Sequence, residues 1–152
     1  RVAVTTAVGD ITGIWNLKTI TNSLSRYAEL ALSLATEHVL GVAAAAGKIS
    51  HTDTAAPEHG SGYIVLGMGK LGAKELNYSS DIDLIVLYDP EIISTAEPHS
   101  LAETFVRATQ QLVRIMEERT ADGYVFRTDL RLRPDPAATP IAGTVACTRY
   151  VA

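Results

Sequence analysis

The first third of the chain repeats apolar side chains at intervals of three or four residues. This spacing places them on one face of a helix, which we predict to run from Leu17 to about Ala46. Polar residues at 19–22 can cap its start, and Gly47 can end it. The predicted apolar face contains Leu17, Ile20, Leu24, Ala28, Ala31, Leu34, Val42 and Ala46.

A polar segment follows this helix and contains residues that interrupt regular structure. Residues 50–61 are rich in Gly, Pro, Ser, Thr and Asp, which predicts a loop. His51 and His59 lie there without a cysteine or a paired carboxylate at ligand spacing, so we interpret them as loop residues. The loop divides the chain into a helical segment, residues 1–60, and a second unit, residues 61–152.

Two nearly continuous apolar runs begin the second unit, at Tyr63–Met68 and Ile82–Tyr88. An apolar run without alternation is typical of a strand that is covered on both faces. Both runs are therefore predicted to be central strands with other elements packed above and below them.

A helix and a third strand complete the predicted elements. Ser100 and Glu103 form the sequence pattern of a capping box, and helical apolar spacing continues from there to about Glu118. Asp122-Gly123 then predicts a turn into a strand at residues 124–132.

Composition narrows the classes of protein. The chain has 152 residues, 47% hydrophobic and 20% charged, as expected of one globular domain, and its net charge of −4 argues against a nonspecific nucleic-acid surface. Cys147 is the single cysteine, which excludes an intrachain disulfide and fits a reducing cytoplasm.

The apolar region around Leu30–Ala46 is interrupted by Glu37 and His38, so we do not expect it to span a membrane. Because the chain begins with Arg1 rather than Met, we expect it to be a piece of a longer protein.

Residues 67–72 read GMGKLG, a G-x-G-x-x-G motif after an apolar strand, and Asp89 lies 22 residues after its first glycine. This arrangement suggests a dinucleotide-binding site. Such a site, however, needs a crossover helix that returns the chain parallel to the first strand. Only residues 70–76 can be helical before Asn77 and the following serines end the helix. We therefore interpret the glycines as a phosphate-facing turn instead.

Asp81 and Asp83 stand at the start of the second strand, where a dinucleotide site has no use for them. Residues two apart on a strand share a face and lie about 6.6 Å apart along the chain, so the two carboxylates converge. Converging carboxylates can hold a pair of Mg²⁺ ions about 3.5–4 Å apart, the arrangement used in phosphoryl and nucleotidyl transfer. Asp129 on the predicted third strand is the candidate third acid.

Arginines surround Asp129 on the predicted third strand. Alternation places Val125, Arg127, Asp129, Arg131 and Arg133 on one face, and Tyr124, Phe126, Thr128, Leu130 and Leu132 on the core face. Guanidinium groups match the oxygens of polyphosphate and inorganic phosphate. An exposed strand with cross-strand ion pairs would show the same pattern, but the nearby acids favour an anion site.

These motifs resemble those of a known superfamily. Gly69-Lys70 followed by Asp81-Ile82-Asp83 resembles the signature of the polymerase-β-like nucleotidyltransferases. GMGKLGAKELNYSSDIDLIVLYD together with YVFRTDLRLRPDP is similar to the glutamine synthetase adenylyltransferase/deadenylylase family. The chain departs from the family pattern at Ala73, where members often have glycine, and at Lys70, where the superfamily uses Ser or Gly.

The resemblance implies an α+β fold, in which a small mixed sheet with packed helices follows a helical segment. It also implies one of two catalytic activities. One copy of the domain transfers AMP from ATP to a tyrosine of glutamine synthetase, and the other removes the AMP by phosphorolysis and releases ADP. The wording ELNYSSDIDL and FRTDLRLRP looks more like the N-terminal, AMP-removing copy.

The same resemblance implies roles for individual residues. It implies metal binding and catalysis by Asp81, Asp83 and Asp129, with Mg²⁺ as cofactor. It implies phosphate or nucleotide binding (ATP, ADP, AMP or phosphate) by Gly67, Gly69, Lys70, Ser80, Arg127, Arg131 and Arg133.

Partners and alternatives follow from the same comparison. Glutamine synthetase is the implied protein substrate, and a PII-type nitrogen signalling protein is an implied partner of the full-length enzyme, in the cytoplasm and without nucleic acid or membrane. Two other functions stay open. One is a nucleotidyltransferase with another acceptor, such as a uridylyltransferase or a small-molecule modifier, and the other is a noncatalytic nucleotide-sensing module.

Overall fold

A computed structural model describes residues 2–50, 60–93, 100–132 and 139–148 of the chain. Its elements in chain order are α1 (Val2–Ile11), α2 (Leu17–Ala45), β1 (Tyr63–Gly67), α3 (Gly69–Gly72), β2 (Ile82–Tyr88), α4 (Leu101–Glu117), β3 (Thr128–Asp129), β4 (Gly143–Thr144) and α5 (Val145–Thr148). The combination of packed helices with a small sheet confirms the predicted α+β class.

The long helix α2 forms where the periodicity predicts it, but its cap lies one turn earlier. Asn16 Oδ1 accepts hydrogen bonds from the backbone N and the hydroxyl of Thr19, at 2.8 and 3.0 Å. Gly47 ends the helix in a left-handed conformation, with φ of +68°, as predicted.

The buried face of α2 differs from the predicted one. Leu17, Leu34 and Val42 are exposed, while the buried residues of α2 are Ile20, Leu24, Ser25, Ala28, Leu32, Ala35, Thr36, Val39 and Leu40. Apolar residues occupy more than half of the helix circumference, so periodicity alone did not decide which face packs inward.

By length and composition alone, α2 is able to cross a membrane, with a mean hydropathy of 1.2 over its most apolar window. A buried core helix has the same features. The inward side chains of α2, such as Leu24 and Leu40, belong to one hydrophobic cluster with residues of β1, β2 and α4. We therefore interpret α2 as a core helix. The domain boundary predicted near residue 60 borders residues 51–59, which lie outside the described residues, as do His51 and His59, and it stays a prediction.

The sheet mixes both strand orientations, as predicted. β1 pairs with β2 antiparallel, with Gly67 opposite Leu84. β2 pairs in parallel with β3 at its start, where Asp83 lies beside Asp129, and with β4 at its end. The antiparallel β1–β2 pair contains no parallel crossover, so the motif at 67–72 is not a dinucleotide-binding site. Asp89 simply follows the end of β2.

Helices cover only one face of the β1–β2 pair in the described part of the chain. The alternate residues Ile82, Leu84, Val86 and Tyr88 of β2 are buried on that side, where Phe105 of α4 stacks on Tyr88 at 5.0 Å and on Tyr63 at 5.4 Å between ring centroids. On the opposite face, Ile64 and Leu66 are 36% and 41% exposed. The prediction of cover on both faces is therefore wrong for these residues, and Asp83 lies on the open face.

The third strand is much shorter than predicted. Only Thr128 and Asp129 pair with β2, because the preceding residues close against the end of α4 instead: the backbone N–H groups of Val125 and Phe126 both donate to Met116 O, at 3.1 and 3.0 Å. The predicted core face holds for Phe126, which is buried, but Tyr124 and Leu132 are exposed.

The capping box predicted at the start of α4 does not form. The Ser100 side chain makes no capping hydrogen bond, and Glu103 instead binds Arg107 one turn later, at 2.6 Å. The i,i+4 spacing of Glu103 and Arg107 favours this pair over a reach back to the helix start.

Candidate functional site

The glycine turn after β1 brings the chain directly onto Asp83. Met68 N donates to Asp83 O at 2.8 Å, and Gly69 then adopts a left-handed φ of +52°. A Cβ atom on Gly69 would lie 2.6 Å from Asp83 Oδ2, and one on Gly72 would lie 2.7 Å from Gly67 O. The turn therefore needs glycine at positions 69 and 72 for space, and at 69 also for backbone conformation.

The predicted phosphate-binding residues of this turn surround its exposed tip. Gly67 is half-buried at the end of β1, whereas Gly69 and Lys70 are exposed in the single turn of α3. Ser80 immediately precedes Asp81 in the chain, and its hydroxyl donates to Asn77 Oδ1 at 2.7 Å. That hydrogen bond orders the turn before β2, and a phosphate contact by Ser80 stays a prediction.

The three predicted acids lie on neighbouring segments of the chain, where β2 and β3 run side by side. Asp83 and Asp129 are register neighbours of a parallel pair, so their backbones are about 4.8 Å apart. Asp81 immediately precedes β2, and Ile82 N donates to Arg127 O at 2.9 Å, which aligns the two segments. The short β3 is thus sufficient to place Asp129 beside Asp83.

Arginines hold two of these carboxylates. Arg127 Nε donates to Asp81 Oδ1 at 2.5 Å, and its Nη2 donates to Ser79 O at 2.9 Å. Arg131 Nε lies 3.0 and 2.9 Å from the two carboxylate oxygens of Asp129, and its backbone N donates to Oδ1 at 2.8 Å. Arg133, the third predicted arginine, lies outside the described residues.

These contacts lower the pKa of Asp129 from 3.8 to about 2, chiefly through the hydrogen bonds from the Arg131 side chain. They also raise the pKa of Arg131, to which the nearby charges of Asp81 and Asp83 add. The local field therefore couples all three acids to Arg131, and Asp129 is ionised at neutral pH.

The Asp129–Arg131 pair predicts a pH dependence of stability. Because the folded pKa of Asp129 lies below its ordinary value, the pair stabilises the fold above about pH 4, and this contribution disappears as the pH falls from about 4 to about 2. We expect the unfolding free energy, measured in urea, to fall less between about pH 4 and about pH 2 in Arg131→Gln and in Asp129→Asn than in wild type. An equal pH dependence in all three proteins would contradict the pairing.

The donor set suits Mg²⁺ in kind, since three carboxylates supply the oxygen ligands that this ion prefers. The missing side chain of Gly69 also leaves room beside Asp83 Oδ2. In the arrangement described for residues 2–50, 60–93, 100–132 and 139–148, no three His, Cys, Asp or Glu side chains converge on a point that could hold a metal. Arg131 contacts both oxygens of Asp129 and Arg127 contacts one oxygen of Asp81, so a metal at those oxygens competes with the two arginines.

The structure adds residues to the site that sequence reasoning missed. Glu117, at the end of α4, accepts hydrogen bonds from the backbone N and hydroxyl of Thr128, at 2.8 and 2.7 Å, and so holds β3 in place. Arg119 lies over the ring of Tyr124, 5.9 Å from its centroid. No sequence signal pointed to these residues, because the predicted long strand would have carried 124–127 away from α4.

These residues line one cavity together with two of the acids, Asp81 and Asp129, whereas Asp83 is not in its lining. The cavity has a volume of about 510 Å³ and is lined by Asp81, Glu117, Arg119, Tyr124, Arg127, Thr128, Asp129, Leu130 and Arg131. We call it the α4–β3 cavity. It combines three carboxylates with three guanidinium groups, and guanidinium groups match carboxylate and phosphate oxygens.

Known proteins share this sequence over most of its length. The family model described as glutamate-ammonia ligase adenylyltransferase matches residues 1–151. Proteins from Agrobacterium fabrum and Rhizobium meliloti are each 52% identical over 142 residues, which is 93% of this chain and 14% of theirs. A protein from Bradyrhizobium sp. (strain ORS 278) is 50% identical over 149 residues, 97% of this chain and 15% of its own length.

All three relatives are named bifunctional glutamine synthetase adenylyltransferase/adenylyl-removing enzyme. This chain spans about one seventh of the length of these relatives. The match covers the glycine turn, all three acids and the arginines around them. The chain belongs to the glutamate-ammonia ligase adenylyltransferase family.

Proposed function

We propose that this chain is the catalytic core of an AMP-removing nucleotidyltransferase that acts on adenylylated glutamine synthetase. The observation that carries the proposal is the register of β2 and β3, which sets Asp83 beside Asp129 with a guanidinium group at hand. The names of the relatives support glutamine synthetase as the protein substrate. In the proposed reaction inorganic phosphate attacks the phosphorus of the AMP–tyrosine bond, the bond to the tyrosine oxygen breaks, and ADP leaves.

Asp81, Asp83 and Asp129 would hold one or two Mg²⁺ ions. Bound there, the metal would stabilise negative charge that develops on the phosphoryl oxygens and on the leaving tyrosine oxygen. The protein itself positions the reactants. The exposed backbone at Gly69 and Lys70 faces the phosphates of the nucleotide, while Arg127 and Arg131 hold the attacking phosphate.

The sequences ELNYSSDIDL and FRTDLRLRP, which look more like the AMP-removing copy, support the AMP-removing direction. Adding AMP to a tyrosine requires a group that takes the phenolic proton. Inorganic phosphate is already an anionic nucleophile at neutral pH and needs no such base. The leaving tyrosine oxygen takes its proton from water or from the phosphate.

The test of this proposal is to incubate the intact protein with adenylylated glutamine synthetase, Mg²⁺ and inorganic phosphate. We expect the release of ADP, with a loss of AMP from the substrate that depends on both additions. Release of AMP without ADP would contradict phosphorolysis, and AMP transfer from ATP without ADP formation would assign the opposite direction. Turnover on other acceptors alone would favour a different nucleotidyltransferase, and no turnover with intact nucleotide binding would favour a sensing module.

The remaining expectations belong to the same proposal. A PII-type signalling protein would act on this site through the full-length enzyme. The proposed chemistry needs no contact with nucleic acid or a membrane. A cytoplasmic location fits a substrate enzyme of nitrogen metabolism and a chain with a single cysteine.

A further inference from the structure

The α4–β3 cavity holds three arginines in different states. Arg127 is bound to Asp81 and Arg131 to Asp129, so these four charges cancel in pairs. Arg119 makes no ion pair with any residue that the structure describes and only covers the ring of Tyr124. The Glu117 carboxylate in the same lining offsets the charge of Arg119, so the cavity is nearly neutral as it stands, although it has room for a phosphate and three groups able to bind one.

Metal and arginine compete for the same oxygens. Both oxygens of Asp129 lie within 3.0 Å of Arg131 Nε, and Asp81 Oδ1 lies 2.5 Å from Arg127 Nε. A hard cation binds through these same carboxylate oxygens. A metal that takes the oxygens of Asp129 therefore displaces Arg131, and one that takes Asp81 Oδ1 displaces Arg127. Each displaced guanidinium group loses its anionic partner. Arg131 is able to move, because its side chain is 83% exposed.

Displacement changes the charge of the cavity. Once the metal neutralises Asp81 and Asp129, Arg127 and Arg131 join Arg119 as positively charged groups around a space of about 510 Å³, where Glu117 is the remaining carboxylate of the described lining. Phosphate oxygens are the natural partners of released guanidinium groups. Conversely, a phosphate that binds the arginines frees the carboxylates for metal.

We propose that the α4–β3 cavity is the site for inorganic phosphate, with Arg119 as a third contact, and that Arg127 and Arg131 exchange carboxylate for phosphate so that metal and phosphate bind cooperatively. This inference rests on the proposed function and deepens it. Without both ligands the arginines hold the site in an ion-paired resting state. Reciprocity requires that each ligand raise the affinity for the other by the same factor.

The experiment measures binding to the intact protein without any acceptor. Mg²⁺ is titrated by calorimetry with and without inorganic phosphate, and phosphate is titrated with and without Mg²⁺. We expect the two coupling factors to agree and to be about tenfold, within the usual range for coupled sites. Equal metal affinity with and without phosphate would overturn the proposal.

Variants separate the two parts of the exchange. Arg131→Gln should bind Mg²⁺ more tightly than wild type when phosphate is absent, and its coupling factor should fall towards one. Arg119→Gln should bind phosphate about threefold to tenfold more weakly in the presence of Mg²⁺ while its phosphate-free Mg²⁺ affinity stays unchanged. If Arg131→Gln fails to strengthen phosphate-free metal binding, the competition is absent and the inference fails.

Arg107→Gln is the matched control, because Arg107 pairs with Glu103 on the surface of α4 and does not line the cavity. It should leave both affinities and their coupling at wild-type values. Association of Mg²⁺ with phosphate in solution is the same for every variant, so it cannot cause a difference between Arg131→Gln and Arg107→Gln. A change equal to that of Arg131→Gln would overturn the assignment. Because no acceptor is present, loss of AMP removal with intact coupling would refute the proposed function alone.

Discussion

Asp83→Asn should reduce phosphate-dependent AMP removal by at least about a hundredfold, since it takes one ligand and one negative charge from the centre of the site. Asp83 O accepts the hydrogen bond from Met68 N in the glycine turn, and Asp83 is the register neighbour of Asp129. Asp83 therefore connects the proposed phosphate-binding turn with the proposed metal ligands. Asparagine has almost the same shape, and the thermal unfolding midpoint should change little. The measurement is ADP formation from adenylylated glutamine synthetase at saturating phosphate.

Asp89→Asn is the control for this change. Asp89 follows the opposite end of β2, where its Oδ1 accepts a hydrogen bond from Glu91 N at 3.0 Å, and an asparagine oxygen can accept the same bond. It is also the acid that a dinucleotide-binding motif would require. We expect near wild-type activity. An inactive Asp89→Asn protein beside an active Asp83→Asn protein would refute the assignment of the acids.

Gly69→Ala should be the most damaging single-methyl change in the glycine turn. The added Cβ would lie 2.6 Å from Asp83 Oδ2, and the left-handed φ of +52° is unfavourable for alanine by about 1–2 kcal/mol. The clash must push the Asp83 side chain away from its present position beside Asp129 or open the turn. We expect AMP removal to fall by at least about a hundredfold, together with weaker Mg²⁺ binding in calorimetry.

Gly47→Ala separates the two causes. Gly47 has a similar φ of +68°, but nothing lies within 4 Å of a Cβ placed there. This control should lose about 1–2 kcal/mol of unfolding free energy and keep full activity per folded molecule. If both variants lost only stability and to the same extent, the contact between Gly69 and Asp83 would have no functional meaning.

Asp81 and Asp83 show what local sequence patterns can predict. Asp81 and Asp83 were predicted because strands rarely begin with two carboxylates, and two-residue spacing places both on one face. The short interval between the glycines and Asn77 was enough to exclude a crossover helix, and the antiparallel β1–β2 pair agrees with that reasoning. These inferences depend on local geometry, which a few neighbouring residues determine.

The third strand shows where such reasoning failed. Alternation of apolar and charged residues predicted a strand over 124–132, yet only Thr128 and Asp129 pair with β2. Met116 O accepts hydrogen bonds from the N–H groups of Val125 and Phe126. Glu117 accepts hydrogen bonds from the N–H and hydroxyl groups of Thr128, so α4 competes with the sheet for this segment. A contact between a helix end and a strand eleven residues later leaves no periodic trace.

By itself, the sequence determined the order of α2, β1, β2 and α4, the glycine turn and the presence of three acids with arginines beside them, because periodicity and backbone sterics act over a few residues. Only the tertiary structure decided which face of α2 is buried, that one face of the sheet stays open, and that Arg127 and Arg131 bind Asp81 and Asp129. Those features depend on packing and on charges brought together from distant positions. Such interactions exist only once the chain has folded.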